Sequence, residues 1–383
     1  MNSGNAPSKR SLKVYMLGLR GFPHVQGGVE THAEQLCPRL ADLGCEMHVI
    51  ARAPYQKALK EESWRGVRFH RLWSPKQKGL EALLHSILGV FYAALKRPDV
   101  LHVQAIGPAL IAPLARLLGL RVVVTHHGPD YDRQKWGPLA KATLRLGERF
   151  GMRSAHGRIA ISHLIADLIH KKYARYAARI PNGVTLPEIP NSRATLDQFN
   201  LEAGKYIIVV GRLVPEKRHF DLIDAFDAAH LDGWKLVIVG ASDHPDAYTR
   251  KLFRKAATMP KIVCTGFQTG LALAELYAHA GVFVLPSSHE GLPIALLEAL
   301  SYGLPVIASD IPANLELGLD PNHYFQLGNV AELTQRLRFF AAMSPSPVQR
   351  MQTRQWVSER YCWTRAAKQT LDIYLAAARS TVH

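Results

Sequence analysis

Residues 281–310 read GVFVLPSSHEGLPIALLEALSYGLPVIASD. The stretch opens with an apolar run of β-branched and aromatic residues, passes through a loop of Ser, His, Gly and Pro, and then places leucines and alanines at helical spacing. A second apolar run, PVIASD (305–310), ends it. Strand, helix and strand in this order predict a βαβ unit, the building block of a parallel sheet.

The same alternation continues on both sides of this unit. Helical segments separate most of the apolar runs, which predicts an α/β protein with two consecutive doubly wound, Rossmann-like sheets that carry helices on both faces. The predicted strands lie at 11–19, 46–51, 67–72, 99–104, 121–127 and 157–162 in the first half, and at 205–211, 234–240, 261–266, 281–286 and 305–310 in the second.

A polar, proline-bearing stretch at 187–204 divides the two halves. We predict a first domain over residues 1–186, a linker over 187–204, a second domain over 205–362 and a closing helix over 363–383. In open α/β sheets, ligands bind beyond the carboxyl ends of the strands. Two facing domains would therefore surround one central cleft with their strand-end loops, and the side chains of these loops are the candidates for function.

Composition excludes several classes of protein. The chain has 383 residues, of which 48% are hydrophobic and 20% are charged, so a disordered or fibrous protein is excluded. Four scattered cysteines form no C-x-x-C pair, which argues against a disulfide framework or a zinc finger and favours a reducing compartment. We find no apolar signal sequence and no apolar run as long as a membrane-spanning helix. The composition therefore predicts a cytoplasmic enzyme.

The formal net charge of +16 is concentrated in the first half of the chain. Residues 1–190 contain 28 Lys and Arg against 13 Asp and Glu, whereas residues 191–383 contain 19 against 18. Such asymmetry indicates a partner with negative charge, and it leaves nucleic acid, anionic lipid and a phosphorylated substrate as alternatives.

Two glutamates flank the start of the helix predicted within 281–310. The four residues after Glu290 would present backbone N–H groups to an anion. Glu298 lies one to two turns along the helix, where its carboxylate could accept hydrogen bonds from a vicinal diol such as a ribose. The alternative is that Glu290 only complements the helix dipole and that Glu298 faces solvent. Against this, leucines and alanines flank Glu298, and a carboxylate without a binding partner is costly among apolar residues. The four residues are Gly291, Leu292, Pro293 and Ile294.

A basic loop, GRLVPEKR (211–218), directly follows the strand predicted at 205–211. Arg212 and Lys217 could balance the charge of a nucleoside diphosphate without a metal, Arg through its planar fork and Lys as a point charge. The alternative is a solvated basic turn.

A glycine pair follows the first predicted strand. Gly27 and Gly28 precede a helix and would allow the backbone to approach a ligand closely. The loop matches neither G-x-G-x-x-G nor the P-loop pattern, so it is weak support for a dinucleotide or for ATP.

Two histidines end the strand predicted at 121–127. A histidine in a strand-end loop can polarise or hydrogen-bond a substrate, although a structural role is the more common one. Asp130 and Asp132 follow closely and form a D-x-D pattern that can hold a divalent cation, but a three-residue match often arises by chance.

Taken together, these motifs resemble those of glycosyltransferase family 4, whose members are retaining enzymes of the GT-B fold. The resemblance covers essentially the whole chain. It rests on E-x7-E from Glu290 to Glu298, on G-R-x-x-x-E-K from Gly211 to Lys217, on the G-G-V-E loop, and on a His-Gly pair at a strand end. It implies that Glu290 contacts hydroxyls of the transferred sugar and that Glu298 holds the nucleotide ribose. Arg212 and Lys217 would then bind the diphosphate.

The segment HHGPDYDRQKWG (126–137) resembles H-G-x-[DE]-x-x-R-x-K-W-G of a bacterial subset that acts on surface polysaccharides. This alignment makes His127 the active-site histidine and leaves His126 facing the other way. Asp130 and Tyr131 stand where an acidic residue and Trp are usual, a departure that would affect acceptor contacts. The family needs no D-x-D metal, which disfavours a metal role for Asp130 and Asp132.

The resemblance implies transfer of a sugar, with retention, from a nucleotide-sugar donor to a hydroxyl of a glycan or polyprenyl-diphosphate-linked acceptor in bacterial exopolysaccharide, capsule or lipopolysaccharide synthesis. No metal and no cofactor are implied, and no nucleic-acid partner. We place Gly27, Gly28, Gly266 and 291–294 on the donor side. The alternatives are a nucleotide-sugar 2-epimerase of the same architecture and a basic nucleic-acid-binding protein. The epimerase would not explain the basic half, and the nucleic-acid binder would not explain E-x7-E with G-R-x-x-x-E-K.

Two segments of the basic half combine aromatic and cationic residues. Residues 133–153 have the composition of a basic amphipathic surface helix, and 64–78 add Trp64, Trp73 and further cations. Relatives commonly act at the inner face of the membrane, so we expect peripheral attachment to an anionic membrane surface. The alternative is a core-packed helix with a solvated basic face.

Overall fold

The computed structural model describes residues 11–56, 61–75, 77, 80–133, 136–242, 246–343 and 345–380. It confirms two parallel-sheet α/β domains, as the sequence predicts. The basic N-terminal residues 1–10 and three cations of the predicted membrane-facing segments, Lys76, Lys78 and Lys135, lie outside the described residues.

The first sheet has eight strands. They are β1 Leu12–Leu17, β2 Cys45–Arg52, β3 Ser63–Trp64, β4 Val67–Leu72, β5 Val100–Gln104, β6 Val122–His126, β7 Gly157–Ala160 and β8 Ala178–Arg179. Their order across the sheet is β3-β4-β2-β1-β5-β6-β7-β8, and every neighbouring pair is parallel except the short β3–β4 pair.

The second sheet has six strands, all paired in parallel. They are β9 Tyr206–Val210, β10 Lys235–Val239, β11 Ile262–Gly266, β12 Val282–Leu285, β13 Val306–Ser309 and β14 Tyr324–Phe325. Their order is β11-β10-β9-β12-β13-β14, so the chain changes direction across the sheet between β11 and β12. The crevice beside the central strand, at this change of direction, is where open α/β sheets bind ligands.

Helices connect these strands. They are α1 Gly28–Asp42, α2 Leu80–Lys96, α3 Ala112–Leu117, α4 Pro138–Ser154, α5 His163–Tyr173, α6 Ala194–Gln198, α7 His219–Ala229, α8 Ala247–Ala257, α9 Gly270–Ala278, α10 Ile294–Ser301, α11 Pro312–Leu315, α12 Val330–Ala342, α13 Pro347–Arg360 and α14 Trp363–Arg379. Among the described residues, no helix is both long and apolar enough to cross a bilayer.

Both faces of the first sheet are covered, and the central strand β1 shows why. Val14 and Met16 point to the face that α1 and α14 cover, while Tyr15 and Leu17 point to the face that α2, α3 and α4 cover. All four are buried. A strand buried on both faces has to be a continuous apolar run rather than an alternating one, which is the pattern that its sequence shows.

The C-terminal helix α14 returns to the first domain. It packs against α1 and against β6 and β7, and its Tyr374 is completely buried there. A short helix, α6, lies within the predicted linker, and its Thr195 and Leu196 are buried.

Three strands lack a counterpart in the prediction. β3, β8 and β14 are two residues long, too short to show any periodicity in the sequence, and they form by pairing with longer neighbours. α10 begins at Ile294, between the two glutamates as expected, and Pro293 is its N-cap residue. Proline has no N–H, so only Gly291, Leu292 and Ile294 of the four expected donors can offer a backbone N–H.

Candidate active site

A cleft of about 850 Å³ lies between the two domains. Strand-end loops from both sheets line it, including residues that directly follow β1, β6, β9, β10 and β11 and the later part of the loop after β12. The cleft contains nearly all the side chains and backbone positions that the sequence singles out. They are Gly27, Gly28, His127, Arg212, Lys217, Glu290, Gly291, Leu292, Pro293, Ile294 and Glu298. Gly266 does not line the cleft, because the chain turns at this glycine and presents Phe267 instead.

Lys217 and Glu290 form an ion pair on the second-domain side of the cleft. The Nζ atom of Lys217 lies 2.6 Å from Oε1 of Glu290. Burial alone would raise the pKa of Glu290, but the Lys217 ammonium and its hydrogen bond, with Arg133 nearby, lower it. The loops that carry the pair are joined by the backbone, since the Ser288 N–H donates to the Glu216 carbonyl over 2.8 Å. The pair is therefore held as ammonium and carboxylate on two connected loops.

Glu298 lines the cleft, and its pKa is raised. Burial raises its pKa to about 7, and the nearby Glu34 carboxylate adds to the rise, while a hydrogen bond from Tyr277 opposes it. The Tyr277 hydroxyl donates to Oε2 of Glu298 over 3.1 Å, and its ring stacks on Tyr302 at 5.3 Å between centroids. The structure thus places Glu298 in a partly desolvated position on α10 rather than on a solvated face.

The turn before α10 packs directly against the first domain. A Cβ atom on Gly291 would lie 1.9 Å from the carbonyl oxygen of His127, so only glycine fits between the domains here. The Asn182 side chain adds a second link, because its Nδ2 donates to the Leu292 carbonyl over 3.0 Å and its Oδ1 lies 2.8 Å from Nδ1 of His32. These contacts bring the turn before α10 to the histidine of the opposite domain.

The two histidines at the end of β6 face opposite ways. His127 lines the cleft, and its Nε2 lies 2.7 Å from Oε1 of Gln104. His126 is fully buried, with Nε2 2.9 Å from the buried Glu148 carboxylate and with Nδ1 accepting the Gly128 N–H over 3.1 Å. Burial holds the pKa of His127 well below its usual range, and the neighbouring histidines add to this effect. The imidazole that faces the cleft is therefore neutral at pH 7.

The glycine pair shapes the loop after β1. A Cβ atom on Gly27, whose φ is +153°, would lie 2.1 Å from Oε2 of Glu30. Glu30 is paired with Arg20 at 3.1 Å. Burial alone would raise the pKa of Glu30, but Arg20, with Arg212 contributing across the cleft, lowers it to about 2. Gly28 has open space beside it, so its lack of a side chain leaves room in the cleft.

In the described part of the chain, Asp130 and Asp132 do not form a metal site with other side chains. Asp130 lines the cleft, but its Oδ1 is paired with Nε of Arg133 at 2.7 Å. Within the described ranges, no three His, Cys, Asp or Glu side chains come together as a metal site would require.

Several lining residues escape sequence reasoning. Phe267 follows the predicted strand at 261–266, so its position at a strand end was a usable signal. Glu30 is the last residue of the G-G-V-E loop, which the sequence does single out. Asn182 carries no comparable signal, because its contact is with a residue 110 positions away in the chain.

Two parallel-sheet α/β domains that face each other across one cleft are the architecture of the GT-B class of glycosyltransferases. Residues 27–183 match the family model described as a glycosyl transferase 4-like domain, and residues 193–339 match that of glycosyl transferases group 1. The chain therefore belongs to the GT4-type family of glycosyltransferases.

Several bacterial proteins that are named as glycosyltransferases are similar to this chain. A GDP-mannose-dependent alpha-mannosyltransferase of Mycobacterium tuberculosis is 32% identical over 85% of this chain and 86% of its own length. A GDP-mannose:cellobiosyl-diphosphopolyprenol alpha-mannosyltransferase of Xanthomonas campestris is 27% identical over 76% of this chain and 77% of its own length. A Bacillus subtilis protein named as a teichuronic acid biosynthesis glycosyltransferase is 26% identical over 56% of this chain. The match spans about half (54%) of that relative's own length.

Solved structures share the fold. A sucrose-phosphate synthase from Thermosynechococcus elongatus superposes with a TM-score of 0.76 over 95% of this chain and 98% of its own, at 20% identity. At that identity the likeness establishes the GT-B fold alone.

Proposed function

We propose that the protein is a retaining, metal-independent glycosyltransferase that moves a sugar from a nucleotide-sugar donor to a hydroxyl of a glycan or polyprenyl-diphosphate-linked acceptor in bacterial surface-polysaccharide synthesis. The observation that carries the proposal is the Lys217–Glu290 pair at 2.6 Å, with Arg212 and Glu298 in the same cleft and His127 across it. Relatives named for GDP-mannose and for a diphosphopolyprenol acceptor support the classes of donor and acceptor.

The cations are suited to the leaving group. An ammonium has three N–H donors, and Lys217 uses one of them on Glu290, so two can reach a diphosphate. The guanidinium of Arg212 adds a planar fork from the same loop. As the bond to the anomeric carbon breaks, charge grows on the diphosphate, and these fixed cations stabilise it without reorganisation. In this proposal the two side-chain cations neutralise the diphosphate, a role that a divalent cation has in other enzymes.

Retention follows from front-face attack in this proposal. Glu290 is committed to Lys217 as an ion pair, which suits it to binding sugar hydroxyls rather than to attacking the anomeric carbon. The leaving diphosphate then helps to accept the proton of the acceptor hydroxyl as that hydroxyl attacks from the same side. Closure of the two domains would exclude water and limit hydrolysis of the donor.

The proposal is tested by incubating the full chain with a panel of nucleotide sugars and measuring released nucleoside diphosphate, with and without lipid-linked or glycan acceptors. NMR of the glycoside product reports whether the anomeric configuration is kept. EDTA should leave the rate unchanged. Inactivation by EDTA that Mg²⁺ or Mn²⁺ reverses would instead support the Asp130 and Asp132 metal site. An epimerised sugar with no transfer would point to the 2-epimerase.

We further propose that the first domain attaches to the anionic inner face of the membrane. α4 exposes Leu139 and Leu146 together with Arg145, Arg149 and Arg153, while its buried side consists of Gly147, Glu148, Gly151 and Met152. Trp73 is 63% exposed, and Arg65, Arg68 and Arg71 are exposed near it along the chain. Trp64 is partly buried and contacts Phe22, so it belongs to the core edge rather than to the surface.

The neighbouring helix α2 adds an exposed apolar surface to the two predicted segments. Its exposed residues recur every three or four positions and form one stripe on the sheet face that α2 shares with α3 and α4. Contiguous exposed apolar surface flanked by cations is the composition of a membrane-contacting face. The stripe consists of Leu80, Leu84, Leu88, Phe91 and Leu95.

Sedimentation with lipid vesicles tests this attachment. The protein should sediment with vesicles that contain anionic lipid, stay in solution with neutral ones and come off in high salt, since each engaged cation contributes roughly 1 kcal/mol. Phe91→Glu should weaken sedimentation, while Phe339→Glu is the matched control because Phe339 on α12 is equally exposed (49% against 48%). Indifference of the protein to anionic vesicles at low salt would reject membrane attachment without affecting glycosyl transfer.

A further inference from the structure

A buried chain of polar side chains leads from the cleft to the C-terminal helix. It begins at His127, whose Nε2 lies 2.7 Å from Oε1 of Gln104. Gln104 in turn places its amide nitrogen 3.2 Å from Nε2 of His102 on the same strand. His102 contacts the Thr125 hydroxyl at 2.7 Å and the Tyr374 hydroxyl of α14 at 2.6 Å. Gln104, His102, Thr125 and Tyr374 are all essentially inaccessible to solvent.

The orientation of the Gln104 amide follows from its neighbours. The amide nitrogen also lies 3.5 Å from the thioether sulfur of Met16, which can only accept a hydrogen bond. The NH2 group must therefore face Met16 and His102, and the carbonyl oxygen must face His127. A carbonyl oxygen has no proton to give, so the contact exists only if Nε2 of His127 carries the hydrogen.

We infer that Gln104 is a positioning residue that fixes His127 as the Nε2–H tautomer and leaves the lone pair on Nδ1 as an acceptor for a hydroxyl of the bound sugar. The role of Nδ1 rests on the proposed function, whereas the tautomer itself does not. The hydrogen bond also sets the rotation of the ring, since Gln104 is held in place by its own partners, Met16 on β1 and His102 on β5.

The surroundings keep the ring in the neutral form for which a tautomer is defined. Burial holds the pKa of His127 well below its usual range and that of His102 at about 3. The titratable groups facing His127 are His32 of α1, His102 of β5 and His126 of β6. His32 is neutral as well, because burial lowers its pKa to about 4. The His127 ring is therefore neutral, and its chemistry depends on which of its two nitrogens carries the hydrogen.

The tautomer can be measured on the protein alone, by ¹⁵N and ¹³C NMR of histidine-labelled protein with His127→Gln used to assign the signal. We expect wild type to show Nε2–H at His127. Gln104→Leu removes the acceptor and should shift His127 towards Nδ1–H, with kcat reduced about tenfold to a hundredfold and KM for the donor little changed. Retention of a single Nε2–H tautomer in Gln104→Leu would overturn the inference.

Gln104→Glu is the conservative partner and decides the matter if the leucine variant does not fold. It keeps an oxygen acceptor of the same size, so the Nε2–H form should persist, and its carboxylate should raise the pKa of His127 and move the acid limb of the pH–rate profile upward. An unchanged pH–rate profile would contradict direct contact between residue 104 and His127. If the tautomer shifts as expected but no nucleotide sugar is turned over, the proposed function fails and the tautomer assignment stands.

Discussion

Replacing Glu298 by glutamine should stabilise the free protein and weaken its binding of a nucleoside diphosphate. Burial raises the pKa of Glu298 from 4.5 to about 7. At roughly 1.4 kcal/mol per pH unit, this corresponds to about 3 kcal/mol of cost for the ionised carboxylate in the folded state. The neutral glutamine side chain carries no such cost, so Glu298→Gln should raise the free energy of unfolding by up to about this amount.

The stabilisation by Glu298→Gln should depend on pH in a direction that can be measured. Between pH 4.5 and about 7, the folded protein holds the Glu298 proton more tightly than the unfolded chain does. The free energy of unfolding of wild type therefore falls through this interval as pH rises, and the Glu298 contribution is constant above it. The stabilisation by Glu298→Gln should accordingly be near zero at pH 4, grow between pH 4.5 and 7, and level off by pH 8.

Ligand binding should change in the opposite direction. A ribose diol donates two hydrogen bonds to a carboxylate, and loss of a charge-assisted bond costs roughly 1.5–3 kcal/mol, so affinity should fall about tenfold to a hundredfold in Glu298→Gln, and at least as far in Glu298→Ala. Because the carboxylate is the binding form, wild-type affinity should rise with pH up to about 7, and Glu298→Gln should lose this dependence.

Chemical denaturation at pH 5 and pH 8, with titration calorimetry against nucleoside diphosphates, measures both effects. The matched control is Glu359→Gln, since Glu359 is an exposed carboxylate on α13 far along the chain from the cleft residues. It should alter neither quantity. A Glu298→Gln variant with wild-type stability at pH 8, or with wild-type affinity at every pH, would refute the placement of Glu298 as a desolvated ribose ligand.

Three further variants probe the other parts of the cleft. Arg212→Ala should lower donor affinity or turnover about tenfold to a hundredfold with the fold intact, measured by nucleoside diphosphate release and circular dichroism; wild-type kinetics would remove Arg212 from the diphosphate site. His127→Ala should reduce the rate of transfer far more than the affinity for the nucleoside diphosphate product, because His127 lies in the opposite domain from the cationic loop; equal losses would mark it as a structural residue. Gly291→Ala should reduce kcat strongly while each domain stays folded, since its Cβ would lie 1.9 Å from the His127 carbonyl; normal kcat would show that the two loops need not approach.

Much of the fold follows from local sequence patterns. Central strands such as β1, β9 and β12 are continuous apolar runs because both of their faces are buried, and burial on both faces is a property that a sequence displays directly. The short strands β3, β8 and β14 could not be predicted in this way. They are two residues long and exist only because a longer strand beside them offers backbone partners.

The sequence by itself determined the α/β class, the strand order along the chain, and which charged residues stand at strand ends. These are local properties, since hydrophobic period and turn chemistry involve residues a few positions apart. Thus Arg212, Lys217, Glu290 and His127 could be named without a structure.

Only the tertiary structure decided how these residues are paired and what state they are in. Lys217 and Glu290 are 73 residues apart, and their ion pair depends on β9 and β12 being neighbours in the second sheet. The pKa of Glu298 depends on its burial and on the hydrogen bond that Tyr277 donates to it. The link from His127 through Gln104 and His102 ends on Tyr374 of a helix that returns to the first domain. Electrostatic and hydrogen-bond energies depend on distance and desolvation, and both are set by the packing of segments that are remote in the chain.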